Sequence, residues 1–445
     1  MTTWDDTDLI RRSVGETPHS VEGIYQYLQP FIREARVVML GEATHGSEEF
    51  YAVRAQLTQR LIEEHGFNLI AVEADWPEAY AVNRFVRGRD GEISAHAALG
   101  LFTRFPTWMW ANTTVRSFVE WLRDYNEEFI EKRHVGMYGL DLYSLFGSLE
   151  SVLGYLEVVD PTGARRARER YACFKHYAGD AHGFGFAASI GLAPDCEQRA
   201  VRQLEELREQ KWEYLQSNGL LAEDAHFSAE QNARIVANAA EYYRAMFKQP
   251  SVTWNLRDTH MFETLEALMQ HQERLGAPAR AVVWAHNSHI GDSRATEFAS
   301  RGQLNIGQLA KQRFGNAACL VGFTTYGGEV MAAPEWGLPG EVEVVQDALQ
   351  GSFEDLFHRV DAEQFVLLLR GNALVSELFR KPRLERSIGV VYHPHTERQS
   401  HYFHAQLNQQ FDAVVHIDST SAVTPLEFKH EAFLEEPPET FPSGM

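Results

Sequence analysis

The run Val37-Val38-Met39-Leu40 is short, wholly apolar and stops at Gly41. Such a run reads as a buried strand. Glu42 and His45 follow at once in a turn bracketed by Gly41 and Gly46, and helix-forming residues then continue from Ser47 to about His65. Ser47 is the expected N-cap and Gly66 the expected C-cap. Strand, turn and helix in that order set Glu42 and His45 at the carboxyl end of a strand, where open α/β sheets build their sites. The pairing also has a chemical sense, because a carboxylate fixes an imidazole's orientation and favours its protonated form, as general-base work requires. A solvated turn with two ordinary polar residues is the competing reading of this stretch alone.

The pattern recurs. Residues 68–75 form an apolar run ending in Glu73 and Asp75, and Pro77 suits the first turn of a helix to about Arg87. Residues 135–141 end in Asp141, and residues 280–285 lead into His286 and His289. Further strands are expected at 318–323, 364–370, 387–391 and 413–417, with a Gly-rich turn at 324–328 and helices at 114–133 and 306–314. The alternation predicts an α/β fold, mainly a parallel sheet flanked by helices. From about residue 145 to 274 the period is helical throughout, with helices expected at 165–177, 197–216, 229–247 and 255–274. Within it Gly183, Gly185 and Ala188 match GxGxxA, but no strand precedes them, so a flexible loop is expected instead of a dinucleotide site. Arg257 and Asp258, at the head of the last helix, read as a surface pair. The expected organisation is an α/β core from 30–144 and 278–425, a helical insertion or cap at 145–277, a peripheral helix in 1–29 carrying Val21, Ile24, Tyr25 and Leu28, and a tail at 426–445. The aromatic stretch Phe102, Phe105, Trp108, Met109 and Trp110 is either core, the commoner case, or the wall of a ligand pocket.

Bulk properties narrow the function. The net charge of -21 argues against nucleic acid or an anionic membrane surface as partner. The first residues lack a basic then apolar leader, so no signal peptide is expected, and no apolar run approaches the ~18 residues of a membrane span. Cys173, Cys196 and Cys319 are odd in number and scattered. They predict neither a disulfide framework nor a metal knuckle, and a reduced, cytoplasmic setting follows.

Side by side, the strand ends offer Glu42, His45, Glu73, Asp75, Asp141, His286 and His289. In a parallel sheet they converge on one crevice. Two chemistries fit. In one, a His held by a carboxylate activates water and a second His or an Arg stabilises the oxyanion. In the other, the same side chains ligate a divalent metal that acidifies water. HExxH, GxSxG and P-loop motifs are absent, and the remaining option is a non-catalytic small-molecule binder.

At Gly41-Glu42-Ala43-Thr44-His45-Gly46 with Glu49, at Glu73-Ala74-Asp75-Trp76, at residues 255–261, at Trp284-Ala285-His286-Asn287-Ser288-His289-Ile290 and at residues 397–403, the chain resembles the erythromycin esterase family. The resemblance spans roughly residues 30–425. It implies an α/β core with a helical insertion, a deep cleft at the strand ends and hydrolysis without a metal or other cofactor. By resemblance His45 is the general base, Glu42 and Glu73 orient or tune it, His286 and His289 are the second histidine pair, and Arg54 lies in the cleft. The substrate implied is a small-molecule ester or macrolide-type lactone, with Asp75, Trp108, Tyr326 and His401 as expected substrate contacts.

Overall fold

A computed structural model describes residues 6–14, 20–89, 91, 93–128, 134–193, 195–215, 219–247 and 250–428. Its strands are β1 Val37–Leu40, β2 Leu69–Asp75, β3 Gly136–Asp141, β4 Ala281–Trp284, β5 Ala318–Ala332, β6 Glu341–Val345, β7 Gln364–Leu368, β8 Arg383–Arg386, β9 Tyr402–Ala405 and β10 Ala413–Thr420. Eight build one sheet in the order β3-β2-β4-β1-β5-β10-β7, with β6 on the far half of β5. Every neighbouring pair from β3 to β10 is parallel, while β7 and β6 run antiparallel. The short antiparallel pair β8-β9 stands apart.

β1 lies in the middle of the sheet, and its side chains explain its composition. Val37 and Met39 pack into one core cluster and Val38 and Leu40 into the other, on opposite faces of the sheet. All four are fully buried. A strand covered on both faces reads as a continuous apolar run, as this one does. The helix Glu48–His65 follows, closed by Gly66 at φ +67°. Near the start of the chain Ile24, Tyr25 and Leu28 bury one face of the helix Val21–Ile32.

Several expectations are corrected. The predicted turn at 324–328 is strand, because β5 runs unbroken to Ala332. Gly328, at φ +115°, lets the Thr420 carbonyl of β10 approach to 2.2 Å from where a Cβ would stand, so the glycine serves close strand pairing. The strand predicted at 387–391 does not join the sheet. It crosses the strand ends, bridged to the chain there at Ile388 to Thr44 and Val391 to Ala333. The GxGxxA segment is the helix Ala181–Ser189, capped by the Asp180 side chain and anchored by buried Phe184 and Ala187. Between β3 and β4 the described residues are helical, with no strand, and the helices Gly219–Met246 and Pro250–Arg274 are the longest of them. Cys173 and Cys196 are disulfide-bonded, so the expectation of unpaired thiols fails for that pair, and Cys319 is a free, buried thiol in β5. The helix expected at 114–133 is seen as Thr113–Glu128, its remainder and the tail beyond 428 lying outside the described residues. Among the described residues no helix is long and apolar enough to cross a membrane.

Candidate active site

The turn after β1 delivers a closed electrostatic unit. Glu42 Oε1 lies 2.9 Å from His45 Nδ1, and its Oε2 accepts from Arg54 Nη2 at 2.7 Å. Glu42 and Arg54 have no exposed surface at all. The Arg54 guanidinium also lies over the Tyr51 and Trp284 rings, 4.4 and 5.2 Å from their centroids. A buried carboxylate is tolerated because it is paired and hydrogen-bonded on both oxygens. The Tyr51 hydroxyl donates to the His45 carbonyl at 2.9 Å, holding the backbone of the turn. Glu42 thus takes Nδ1, and Nε2 is the nitrogen His45 offers to the crevice.

A second unit forms at the ends of β2, β3 and β4. Arg257, from the helix Pro250–Arg274, donates Nη2 to Glu73 Oε1 at 2.8 Å and grips Asp141 through Nε at 3.0 Å and Nη2 at 2.6 Å. His289 Nδ1 sits 3.0 Å from Asp258 Oδ1, and its Nε2 is 3.2 Å from Glu73 Oε1. Its ring stacks on Trp254, centroids 4.5 Å apart. Burial alone would lower the His289 pKa, but Asp258 and Glu73 raise it to about 9, so the ring is an imidazolium at neutral pH. With Nε2–H given to Glu73, Arg257 Nη1 at 3.1 Å is a like-charged neighbour. Burial would push the Glu73 carboxyl up, yet His289 and Arg257 hold it well below the usual range. Arg257 and Asp258, expected on the surface, are therefore buried structural parts of the site, at 6 and 0% exposure.

His286 differs in kind. Its Nδ1 accepts the Ser288 backbone N–H at 3.2 Å and lies 2.8 Å from Ser288 Oγ; with the Ser288 N–H and hydroxyl both donating there, the proton sits on Nε2. Its own backbone N–H donates to Glu73 Oε2 at 2.9 Å. Burial, reinforced by His45, holds its pKa well below the ordinary value, so the ring is neutral. The Ala43 carbonyl is near enough to favour the charged form. Among the described residues none completes a hydrogen bond to Nε2. The His45 and His286 rings are neighbours, centroids 4.8 Å apart and planes tilted by 45°. Asn287 ties this loop to the others, its N–H on the Glu42 carbonyl at 2.8 Å and its Nδ2 on the Phe323 carbonyl at 2.7 Å.

These groups open on a cavity of about 440 Å³ whose wall includes His45, Glu73, Trp254, His286, His289, Trp336, Val390, Val391 and His401. A narrower crevice of about 70 Å³ adjoins it, sharing His45 and Glu73 and adding Asp75, Phe105, Trp110, Asp141 and Arg257. The aromatic stretch therefore plays both parts considered for it, buried throughout and yet lining this crevice with Phe102, Phe105, Met109 and Trp110. Trp108 does not reach either space; it packs on Phe105 inside the core. Tyr326 is also elsewhere, stacked on His358 with centroids 3.7 Å apart. Trp254, Trp336 and Val390 were not foreseen. Nothing in their local sequence separates them from core residues, since only the crossing of segments 333–340 and 387–391 over the strand ends brings the latter two in.

Both Glu42 oxygens and both Glu73 oxygens are engaged by protein cations, imidazole or backbone N–H, and both His289 nitrogens face carboxylates. Among the described residues no group of three or more His, Cys, Asp or Glu is arranged to hold a metal.

The chain is similar to known proteins over most of its length. The family model described as erythromycin esterase matches residues 62–420. The chain is 22% identical to an Escherichia coli protein named erythromycin esterase type II, over 89% of its own length and 92% of the relative's. Among solved structures it is similar to a succinoglycan biosynthesis protein (TM-score 0.75, 22% identity, 94% of this chain and 97% of that one). A Bacillus cereus protein matches with TM-score 0.76 and 19% identity over 96% of this chain and all of that one. A mutant of the erythromycin esterase EreC in its open conformation matches with TM-score 0.65 and 18% identity over 93 and 97% of the two chains. With the family model matching from Ile62 to Thr420, well over half of the chain, this chain belongs to the erythromycin esterase family of hydrolases.

Proposed function

We propose that the chain hydrolyses a small-molecule carboxylic ester or lactone by water attack, without a metal, with His45 as general base. The observation that carries this reading is the neighbouring pair: a histidine held by a buried carboxylate, 4.8 Å between centroids from a neutral histidine with an uncommitted N–H. Water bound at His45 Nε2 gives up a proton as its oxygen attacks the carbonyl carbon. Glu42 stabilises the imidazolium that forms. The oxyanion accepts the His286 Nε2–H, a donor already in place and shielded from water. Collapse breaks the acyl carbon–oxygen bond, and the His45 imidazolium returns its proton to the departing alkoxide. Acid and alcohol, or one hydroxy acid from a lactone, are the products.

Glu73, His289, Arg257, Asp141 and Asp258 are positioning residues in this scheme. Glu73 receives the His286 backbone N–H and so sets that ring beside His45. The cavity volume falls in the range of small-ligand sites. Its wall joins aromatic and aliphatic side chains to a few polar groups, which suits an apolar acyl or alkoxy body. His401 borders it and Asp75 borders the adjoining crevice, and both remain substrate contacts in this reading. The named activity of the E. coli relative makes macrolide-type lactones part of the test set. Mass spectrometry of an ester and lactone panel with purified protein tests the proposal: a product heavier by one water supports it, and an inert panel including medium and large lactones contradicts it.

A further inference from the structure

Two imidazoles in the cavity share one construction. In His286 a backbone N–H occupies Nδ1, leaving Nε2–H without a completed hydrogen bond. In His401, between the helix Glu397–Ser400 and β9, the backbone N–H of His393 donates to Nε2 at 2.9 Å. The proton of a neutral His401 therefore sits on Nδ1, and that atom is buried with no completed hydrogen bond among the described residues. The nearby Ser387 carbonyl favours the protonated ring, but burial outweighs it and holds the pKa at about 4. His401 is 3% exposed and lines the same cavity as His286. An N–H kept dry and unspent is costly unless something completes it. The same wall carries Trp254, Trp336, Val390 and Val391, with Ser387, His393 and Ser400 also lining it.

We infer that His401 Nδ1–H is a specificity-determining donor, and that the substrate is an ester or lactone bearing a second acceptor oxygen, a hydroxyl, ether or ketone, on an otherwise apolar body. The inference rests on the hydrolase reading for the first oxygen, the ester carbonyl at His286, and adds the second. No proton moves at His401 in the reaction; it binds and orients.

The test pairs substrates with variants. Lactones with and without one ring oxygen substituent are compared on wild type, His401→Leu and His401→Gln, the glutamine keeping an amide able to close the loop onto the His393 N–H. Wild type should prefer the oxygenated lactone by about tenfold in kcat/KM, seen in KM, the worth of one neutral hydrogen bond. His401→Leu should erase that preference, and His401→Gln should restore part of it. A preference unchanged in His401→Leu, or absent from wild type for every oxygen position tried, overturns the inference. A general loss on both substrates in both variants does so too, since it marks a purely structural role. Calorimetry with the matching macrocyclic ketones, which cannot be hydrolysed, reads the same selectivity as binding. Selective binding without turnover of any lactone would sink the hydrolase reading and keep the donor assignment; turnover without selectivity would do the reverse.

Discussion

At the scale of single residues the account depends on buried charges held in opposite-charge pairs. Arg54 is the clearest case, since it and Glu42 are both wholly buried. Arg54→Ala leaves the Glu42 carboxylate with its imidazole partner alone. We expect a loss of about 3–5 kcal/mol in folding stability, the usual cost of breaking a buried pair, read from denaturant melts. His289 makes a pH prediction. Its folded pKa, about 9, lies above its ordinary 6.5. Its contribution is therefore fully present below pH 6.5 and is lost as the pH rises through about 9. Wild-type stability should fall between those values, and His289→Gln should flatten that limb. Equal slopes for the two proteins would contradict the clamped imidazolium. Glu73 has the opposite sign: its pKa is depressed, so its contribution is present above the ordinary 4.5 and lost on acidification.

At the scale of elements the strand-end turns decide the site, and much of this was legible in the sequence. Val37 to His45 reads correctly because a strand buried on both faces has to be apolar and has to end where polar residues begin. Glu73, Asp141 and His286 are legible for the same reason. The segment at 387–391 reads as a strand because Ile388, Val390 and Val391 are apolar, but Ile388 and Val390 are buried, and Val391 half-buried, by crossing the sheet ends and not by joining the sheet. Gly46 offers a test of how tightly the first turn is held. A Cβ there would lie 2.0 Å from the Met331 carbonyl of β5, whose N–H in turn donates to the Gly46 carbonyl at 3.0 Å. Gly46→Ala should push the His45 turn off β5, lowering kcat and costing more than ~1 kcal/mol, whereas Gly66→Ala pays only for its left-handed backbone. Gly66 meets nothing within 4 Å, so its variant should keep wild-type kcat. Equal kcat in both variants would show that the turn has slack.

At the scale of the molecule the helical stretch between β3 and β4 is joined to the chemistry. Trp254, Arg257 and Asp258 come from its last helix and reach into the crevice beneath His289. Sequence alone could not show this, because a helix with charges on several faces carries no mark of which face meets the sheet. Arg257 holds Glu73 and Asp141 together from that distance. Arg257→Met, close in volume, should therefore lower kcat by tenfold or more through His286 and Glu73 with little change in KM, a split that steady-state kinetics would read. A change in KM alone would make Arg257 a substrate contact instead.

The central claim is that His45 activates water with no metal at the reacting oxygen. The most direct measurement is hydrolysis of one accepted lactone in ¹⁸O-enriched water by wild type and His45→Asn, each with and without a strong chelator. The account predicts a single ¹⁸O in the carboxylate product of wild type, a rate unchanged by chelator, and a loss of roughly 10²–10⁴ in kcat for His45→Asn while the lactone still binds. Loss of wild-type turnover on chelation, or near-normal turnover by His45→Asn, would contradict it.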